Sequence, residues 1–414
     1  MSLPNSPREI VLDIADHLDD AGINALARTN TQIYEFLNKH LYCQDIVKPQ
    51  SKSLTWAAEN GVEGTVKWAV HAGQYFKPTP ESFHIALQIA ADKGHVHLVE
   101  RLLKVDGINI NFAGSSLEAA PLSLAAKRGD SAIVELLLAA DSVDPNVRDR
   151  HSIDVNFHDT NNGNTPLMMA TKGGFTEVVG SLLARDDLDP NIVNNHRHHV
   201  LETAASLGHV NIVKLLLDHP NIDPNFVAGG GRTALMQASE PNVVKLLLDR
   251  KDIEVNIRDN LGRTALCEAS CYNNLETAKL LLERKDTNIN LPDNRGRTAL
   301  FWACIHNYPA IVDLLLEKDD IDPNPRYVNS GRTPLAHICH YFNHSIDIVT
   351  IVRSLLSHRG TDRNAVDNNG VSILADLRTK RHRNAVDSNG FINSIDNQHD
   401  NAIESLLRDV GART

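Results

Sequence analysis

Residues 201–225 read LETAASLGHVNIVKLLLDHPNIDPN, and this stretch decides the architecture. Thr203, Ala204 and Ala205 keep a first short helix slim, and Gly208 breaks it. Ile212, Val213, Leu216 and Leu217 then line one face of a second helix. The connector Asp223-Pro224-Asn225 follows, where proline blocks helix continuation and asparagine takes the turn. A single antiparallel pair of this size cannot bury both of its faces.

The same block recurs along the chain. Thr165-Pro166-Leu167, Thr233-Ala234-Leu235, Thr264-Ala265-Leu266, Thr298-Ala299-Leu300 and Thr333-Pro334-Leu335 are its clearest starts. With the block leucine as register mark, copies fall at Leu54, Leu87, Leu122, Leu167, Leu201, Leu235, Leu266, Leu300, Leu335 and Leu374. Connectors Asp144-Pro145-Asn146, Asp189-Pro190-Asn191 and Asp322-Pro323-Asn324 separate them. Such a pattern predicts an all-α stack in which the leucine face of one pair covers the alanine face of the next, so that stability accumulates through neighbour contacts. Three irregularities stand out. The copy at Leu235 is short and has Pro241 where the glycine turn belongs, so its first helix is expected to end early. Two connectors, Asp144 to Asn146 and Asp154 to Asn156, lie between Leu122 and Leu167. Finally, Arg363 to Gly370 recurs as Arg383 to Gly390, which predicts over residues 378–414 an insertion loop or a degenerate repeat, closed by a capping helix through Ile403, Leu406, Leu407 and Val410.

A period near 33 residues with a T-P-L helix start resembles the ankyrin repeat. This resemblance covers residues 50–377, implies a solenoid of about ten helix-turn-helix units, and implies a role in binding proteins. The family's histidine after T-P-L is replaced here by residues such as Met168, Cys267 and Phe301.

Residues 1–45 do not follow the repeat. Ser6-Pro7-Arg8-Glu9 is a capping box with proline at the first helical position, Ile10, Ile14 and Leu18 share one helix face, and two further short helices follow. Pro7, Glu9, Ile10, Ile14, Leu18, Ile23, Leu26, Thr29, Asn30, Ile33 and Leu37 together resemble an F-box, the module that docks on the small adaptor subunit of cullin-RING ubiquitin ligases. Ser6 stands where that family has leucine, and Leu3-Pro4 lies three residues early. The resemblance implies adaptor binding through Pro7, Ile10, Ile14, Leu18, Ile23 and Leu26, as a helix fills a groove. The same residues could instead form the core of a cap that seals the first repeat.

Composition narrows the remaining choices. In 414 residues, 42% hydrophobic and 22% charged is the balance of a folded, soluble protein. A net charge of -11 argues against direct nucleic-acid binding by neutralisation of many phosphates. No signal peptide or membrane span is read. Five cysteines without disulfide-framework spacing suit a cytoplasmic or nuclear protein.

Candidate binding residues come from the repeats. Arg232, Arg263, Arg297 and Arg332 each sit in Gly-Arg-Thr, and stacking would align them as a basic stripe able to take an acidic or phosphorylated segment, unless Asp259 and Asp293 neutralise it. At the ends of first helices, where the family faces its groove, stand Cys271, Tyr272, His306, His340 and Tyr341, residue types suited to a binding hot spot. Histidines at 337, 340 and 344 lack an acidic or thiolate partner at ligand spacing beyond Cys339, which points elsewhere on the helix, and those at 196, 198 and 199 read as solvated loop residues, so no metal or cofactor is read. Gly229-Gly230-Gly231 is a turn, Arg378, Lys380, Arg381 and Arg383 a solvated basic loop, and no nucleophile or metal-protease motif indicates catalysis. The chain is therefore expected to be no enzyme but a monomeric member of a complex: a substrate receptor joining a ligase adaptor to a target, or, alternatively, a scaffold or transcription coregulator.

Overall fold

The structure, a computed structural model, describes residues 51–72, 80–114, 117–140, 152–341, 346–384 and 394–413. The front module expected over residues 1–45, with Pro7, Ile10, Ile14, Leu18, Ile23 and Leu26, lies outside the described residues, as do the connector Asp144 to Asn146 and His344.

Among the described residues the regular elements are helices, and no strand forms. One unit, Met1–His196, contains α1 (Lys52–Asn60), α2 (Glu63–Ala72), α3 (Pro80–Lys93), α4 (Val96–Leu102), α5 (Pro121–Arg128), α6 (Ser131–Ala139), α7 (Pro166–Gly173) and α8 (Thr176–Leu183). The other, Arg197–Thr414, contains α9 (Val200–Ser206), α10 (Val210–Asp218), α11 (Ala234–Gln237), α12 (Pro241–Leu248), α13 (Ala265–Cys271), α14 (Leu275–Glu283), α15 (Ala299–Ile305), α16 (Pro309–Leu316), α17 (Pro334–Tyr341), α18 (Ile346–Ser357), α19 (Ile373–Asn384) and α20 (Ser394–Asp409). Within each unit the first helices of successive pairs pack on one another, and so do the second helices. Every register leucine from Leu54 to Leu374 lies in a first helix, and none is more than 2% exposed. Burial of each is worth about 1.5–3 kcal/mol. Alanines such as Ala125, Ala126, Ala204, Ala205 and Ala303 are fully buried, because only a methyl side chain lets consecutive first helices approach so closely.

The threonine of the block is a helix cap. Its hydroxyl accepts the amide of Met168 from Thr165, of Cys267 from Thr264, and of Phe301 from Thr298, at 3.3, 3.3 and 3.4 Å, satisfying a donor that the first turn would leave orphaned. Proline or alanine next in line fits the first helical position. At the other end Gly129 and Gly174 adopt φ of 79° and 74°, and Asn273 and Asn307 replace glycine at φ of 59° and 62°. Asparagine tolerates this left-handed conformation better than other side chains do.

The connector asparagine does more than turn the chain. Asn290 Nδ2 donates to the carbonyl of Asp320 at 2.7 Å, while its Oδ1 accepts the amide of Asp322 at 2.8 Å. Asn225, Asn256 and Asn324 clamp the following connector in the same way, as do Asn111 and Asn156 in the first unit. Each amide thus pairs two backbone groups that no helix or sheet satisfies. At the far end Asn364 Oδ1 accepts the amide of Arg413 at 2.7 Å.

One expectation changes near the C-terminus, and the closing helix forms where it was expected. Residues 378–384 continue α19 as helix rather than opening a loop, which places Arg378, Lys380, Arg381 and Arg383 on a helix. The closing helix begins at Ser394, buries Ile403 and Leu407 completely, and packs on both α18 and α19, the place of a second helix in a pair. The shortening at Leu235 is as expected: α11 is one turn long, and Pro241 already opens α12.

Candidate partner-binding face

The Gly-Arg-Thr arginines come into register, yet each meets carboxylates of its own chain. Asp259 Oδ1 accepts the amides of Leu261 and Arg263, folding the loop back, and its Oδ2 takes Arg263 Nε and Nη2 at 3.0 and 2.7 Å. Asp293 holds Arg297 by the same geometry. Arg232 and Arg332 have no aspartate four residues before them and use the next repeat instead. Arg232 reaches Glu268 at 3.3 Å; Arg332 reaches Asp367 and Asp376, each at 3.3 Å. Arg263, 8% exposed in its side chain, also lies 2.8 Å from Glu268. The aligned guanidiniums are therefore an internally compensated ladder, and the open basic stripe expected from repeat stacking is reduced to their uncovered edges. Charge compensation is what makes their burial tolerable. Burial raises the pKa of Glu268 despite Arg263 and Arg232. For Asp367, burial works upward, but the amides of Val371 and Asn369 and the charge of Arg332 bring the pKa below the usual carboxylate range.

Beside this ladder runs a belt of rings and histidines at the ends of the first helices. Cys271 Sγ lies 3.4 Å from His306 Nε2. The His306 ring stacks on Trp302 with centroids 5.5 Å apart, and the Arg297 guanidinium sits 3.8 Å over the Trp302 ring. His337 packs against Phe301, Tyr327 and Tyr341, Arg332 lies 5.5 Å over the Tyr341 ring, and His340 Nδ1 is 2.5 Å from Asp376 Oδ2. Cation–π and ring contacts of this kind hold side chains rigid at an interface, lowering the entropy lost on binding. Tyr272 and Tyr341 stand at the two ends, 62% and 56% exposed.

Of the residues singled out from sequence, Cys271, His306, His340 and Tyr341 join this belt together with Arg297 and Arg332, and Tyr272 stands at its end beside Glu268, the acidic partner of Arg232. Trp302, Tyr327 and Asp376 were not singled out. Their signal was present only as repeat position: Trp302 lies one turn before His306, and Asp376 lies on the following first helix.

Protonation settles what the belt can do chemically. Burial, with Arg332 nearby, pushes His337 down to about 4, and burial and Arg297 lower His306. Burial and Glu268 raise the Cys271 thiol, so it is a protonated, weakly nucleophilic group. Among the described residues no group of three or more His, Cys, Asp or Glu side chains is placed to hold a metal ion, and no helix is long and apolar enough to cross a membrane. Neutral rings, paired guanidiniums and exposed tyrosines make a surface for recognition.

A stacked array of capped helix pairs with a belt of this kind defines a helical-repeat recognition protein. The profile of ankyrin repeats (three copies) matches residues 24–149, 151–228, 234–327 and 285–367. The chain belongs to the ankyrin-repeat family. Its first match begins inside the segment read as a front module. Among solved structures, the ankyrin repeat domain of Bcl-3, of the IkappaB protein family, is 25% identical with a TM-score of 0.48, over 59% of this chain and 99% of that one. An ankyrin repeat domain from Acinetobacter baumannii AYE is 22% identical with a TM-score of 0.43, over 51% and 98%. No curated protein matches the chain.

Proposed function

We propose that this protein recruits a protein target through the belt that runs from Tyr272 to Tyr341, and that residues 1–45 connect it to the adaptor subunit of a cullin-RING ubiquitin ligase. The observation that carries target binding is the rigid row of Trp302, His306, His337, His340 and Tyr341, flanked by guanidiniums and ending in exposed tyrosines. Aromatic and arginine side chains dominate the energy of protein interfaces. Any transfer of ubiquitin would then depend on proximity, with the chemistry in other subunits. The adaptor role rests on the F-box resemblance of Pro7, Ile10, Ile14, Leu18, Ile23 and Leu26.

Co-purification tests both halves. Wild-type protein should retain the ligase adaptor, and Ile10→Asp with Leu18→Asp should release it while target capture persists. Tyr341→Ala with His306→Ala should do the reverse. A folded wild type that never retains the adaptor removes the ligase role and leaves a scaffold or transcription coregulator. One observation favours that second reading: the repeat profile already matches from residue 24, which supports a cap continuous with the array.

A further inference from the structure

The first helix that departs most from its neighbours is α11. It stops after one turn at Gln237, and Ala238 turns to φ -70°, ψ 117°, whereas α9 and α13 on either side each run for seven residues. The absent turn would have covered the C-terminal half of α13. In its place is a cavity of about 270 Å³ walled by Met236, Ala238 and Ala269, with Gln237, Ser239, Asn274, Glu268 and Thr277 as polar lining and Tyr272 at the rim.

Glu268 and Thr277, both residues of that lining, carry buried oxygens, Glu268 Oε2 and Thr277 Oγ1, that have no hydrogen-bond partner among the described residues. Glu268 Oε1 is within ion-pair distance of Arg263 and Arg232, but both guanidiniums approach it off the line of a hydrogen bond. Unsatisfied buried polar atoms are costly and call for an occupant. Buried carboxylates also outnumber guanidiniums in this cluster. Glu202, Asp259 and Glu268 are three buried carboxylates linked through Gln237 and the arginines, against the two guanidiniums of Arg232 and Arg263. Near Glu202 the other ionisable neighbour is the half-exposed His198, at 3.2 Å. In the comparable cluster at α17 and α19, Arg332 faces Asp367 and Asp376, and His340 stands at the open place beside Asp376. Among the described residues no cationic side chain takes the matching place in the α11 notch.

We propose that the notch between α11 and α13 receives one lysine side chain of the protein partner. This inference rests on the reading of the adjacent belt as a polypeptide-binding face. The volume is below the roughly 300–1,000 Å³ usual for small-molecule sites, which suits a single side chain. A lysine stem would pack on Met236, Ala238 and Ala269, as such stems cover apolar surface. Its compact ammonium carries three rotatable donors, and it would be met by the Glu268 carboxylate and the Thr277 hydroxyl as these buried side chains turn toward the cavity. A third planar guanidinium would have to align beside two already present.

The test uses the full chain and three probes, the N-acetyl N-methylamides of lysine, norleucine and arginine, followed by backbone amide chemical shifts in α11 and α13. The lysine probe should give saturable shifts with an affinity about tenfold or more above the norleucine probe, the weight of one charge-assisted contact. Glu268→Gln should erase that preference. Ala269→Leu, which fills the cavity, should abolish binding while its thermal unfolding confirms a fold. Because Glu268→Gln alters a buried ion cluster, Thr277→Val serves as the second variant and should weaken the lysine probe without affecting norleucine. Equal affinities for lysine and norleucine, a preference for arginine, or lysine binding that survives Ala269→Leu would each overturn the proposal. Tyr341→Ala with His306→Ala should leave probe binding intact, so loss of target capture in that variant is separable from failure of the notch.

Discussion

Replacing Asn290 with alanine removes two hydrogen bonds that link one connector to the next, at 2.7 and 2.8 Å. Asp320 and Asp322 are exposed, so water can resolvate the freed carbonyl and amide, and the loss falls near the net worth of ordinary hydrogen bonds. At about 0.5–1.5 kcal/mol each, the total is about 1–3 kcal/mol. Stability in a repeat array is the sum of unit and interface terms, so the loss should concentrate at the junction of the pairs α13–α14 and α15–α16 with their successors. Hydrogen exchange of amides in α15 to α18, read beside urea unfolding, reports it locally. Asn290→Asp is the sharper variant. It retains an acceptor for the Asp322 amide but removes the donor and sets a carboxylate against the Asp320 carbonyl, so it should cost at least as much as alanine. If both variants unfold within about 0.3 kcal/mol of wild type, with unchanged exchange across the junction, the clamp is an incidental contact.

The folded-state pKa of His337, about 4, lies below its ordinary 6.5, so its contribution to stability is complete above pH 6.5 and is lost as pH falls from 6.5 towards 4. A shift of this size corresponds to about 3–4 kcal/mol, and His337→Phe should flatten that part of the stability–pH curve. Arg263→Ala leaves Asp259 and Glu268 buried without their shared cation and should cost about 3–5 kcal/mol, whereas Arg185→Ala, which breaks a more exposed pair with Asp187, should cost under about 1 kcal/mol in the same denaturation assay. Gly129→Ala must hold φ at 79° and place Cβ 2.3 Å from the Phe175 ring, for an expected loss of about 2–4 kcal/mol. Asn273→Gly, at an equivalent turn with φ 59°, should change thermal unfolding little.

Particular residues mark what could be read without coordinates. Thr165, Thr264 and Thr298 as caps, Gly129 and Gly174 as turns, and Pro241 as the early end of α11 all act within a few positions of themselves, and local rules describe such effects. The groove-end positions of His306, His340 and Tyr341 followed from repeat register. The partners of Arg232 and Arg332 did not. Glu268 is 36 residues beyond Arg232, and Asp367 is 35 beyond Arg332. A carboxylate at that distance is no different in sequence from any solvated one.

By itself the sequence determined a stack of capped helix pairs, its register, and the position of its irregular member, because hydrophobic period and turn chemistry are encoded within each block. Tertiary structure alone decided that the connector asparagines clamp neighbours, that the arginine row is charge-compensated, and that a shortened helix opens a cavity beside Glu268. Those outcomes depend on which side chains lie next to each other across a repeat boundary, and adjacency in space is settled only when the pairs have packed.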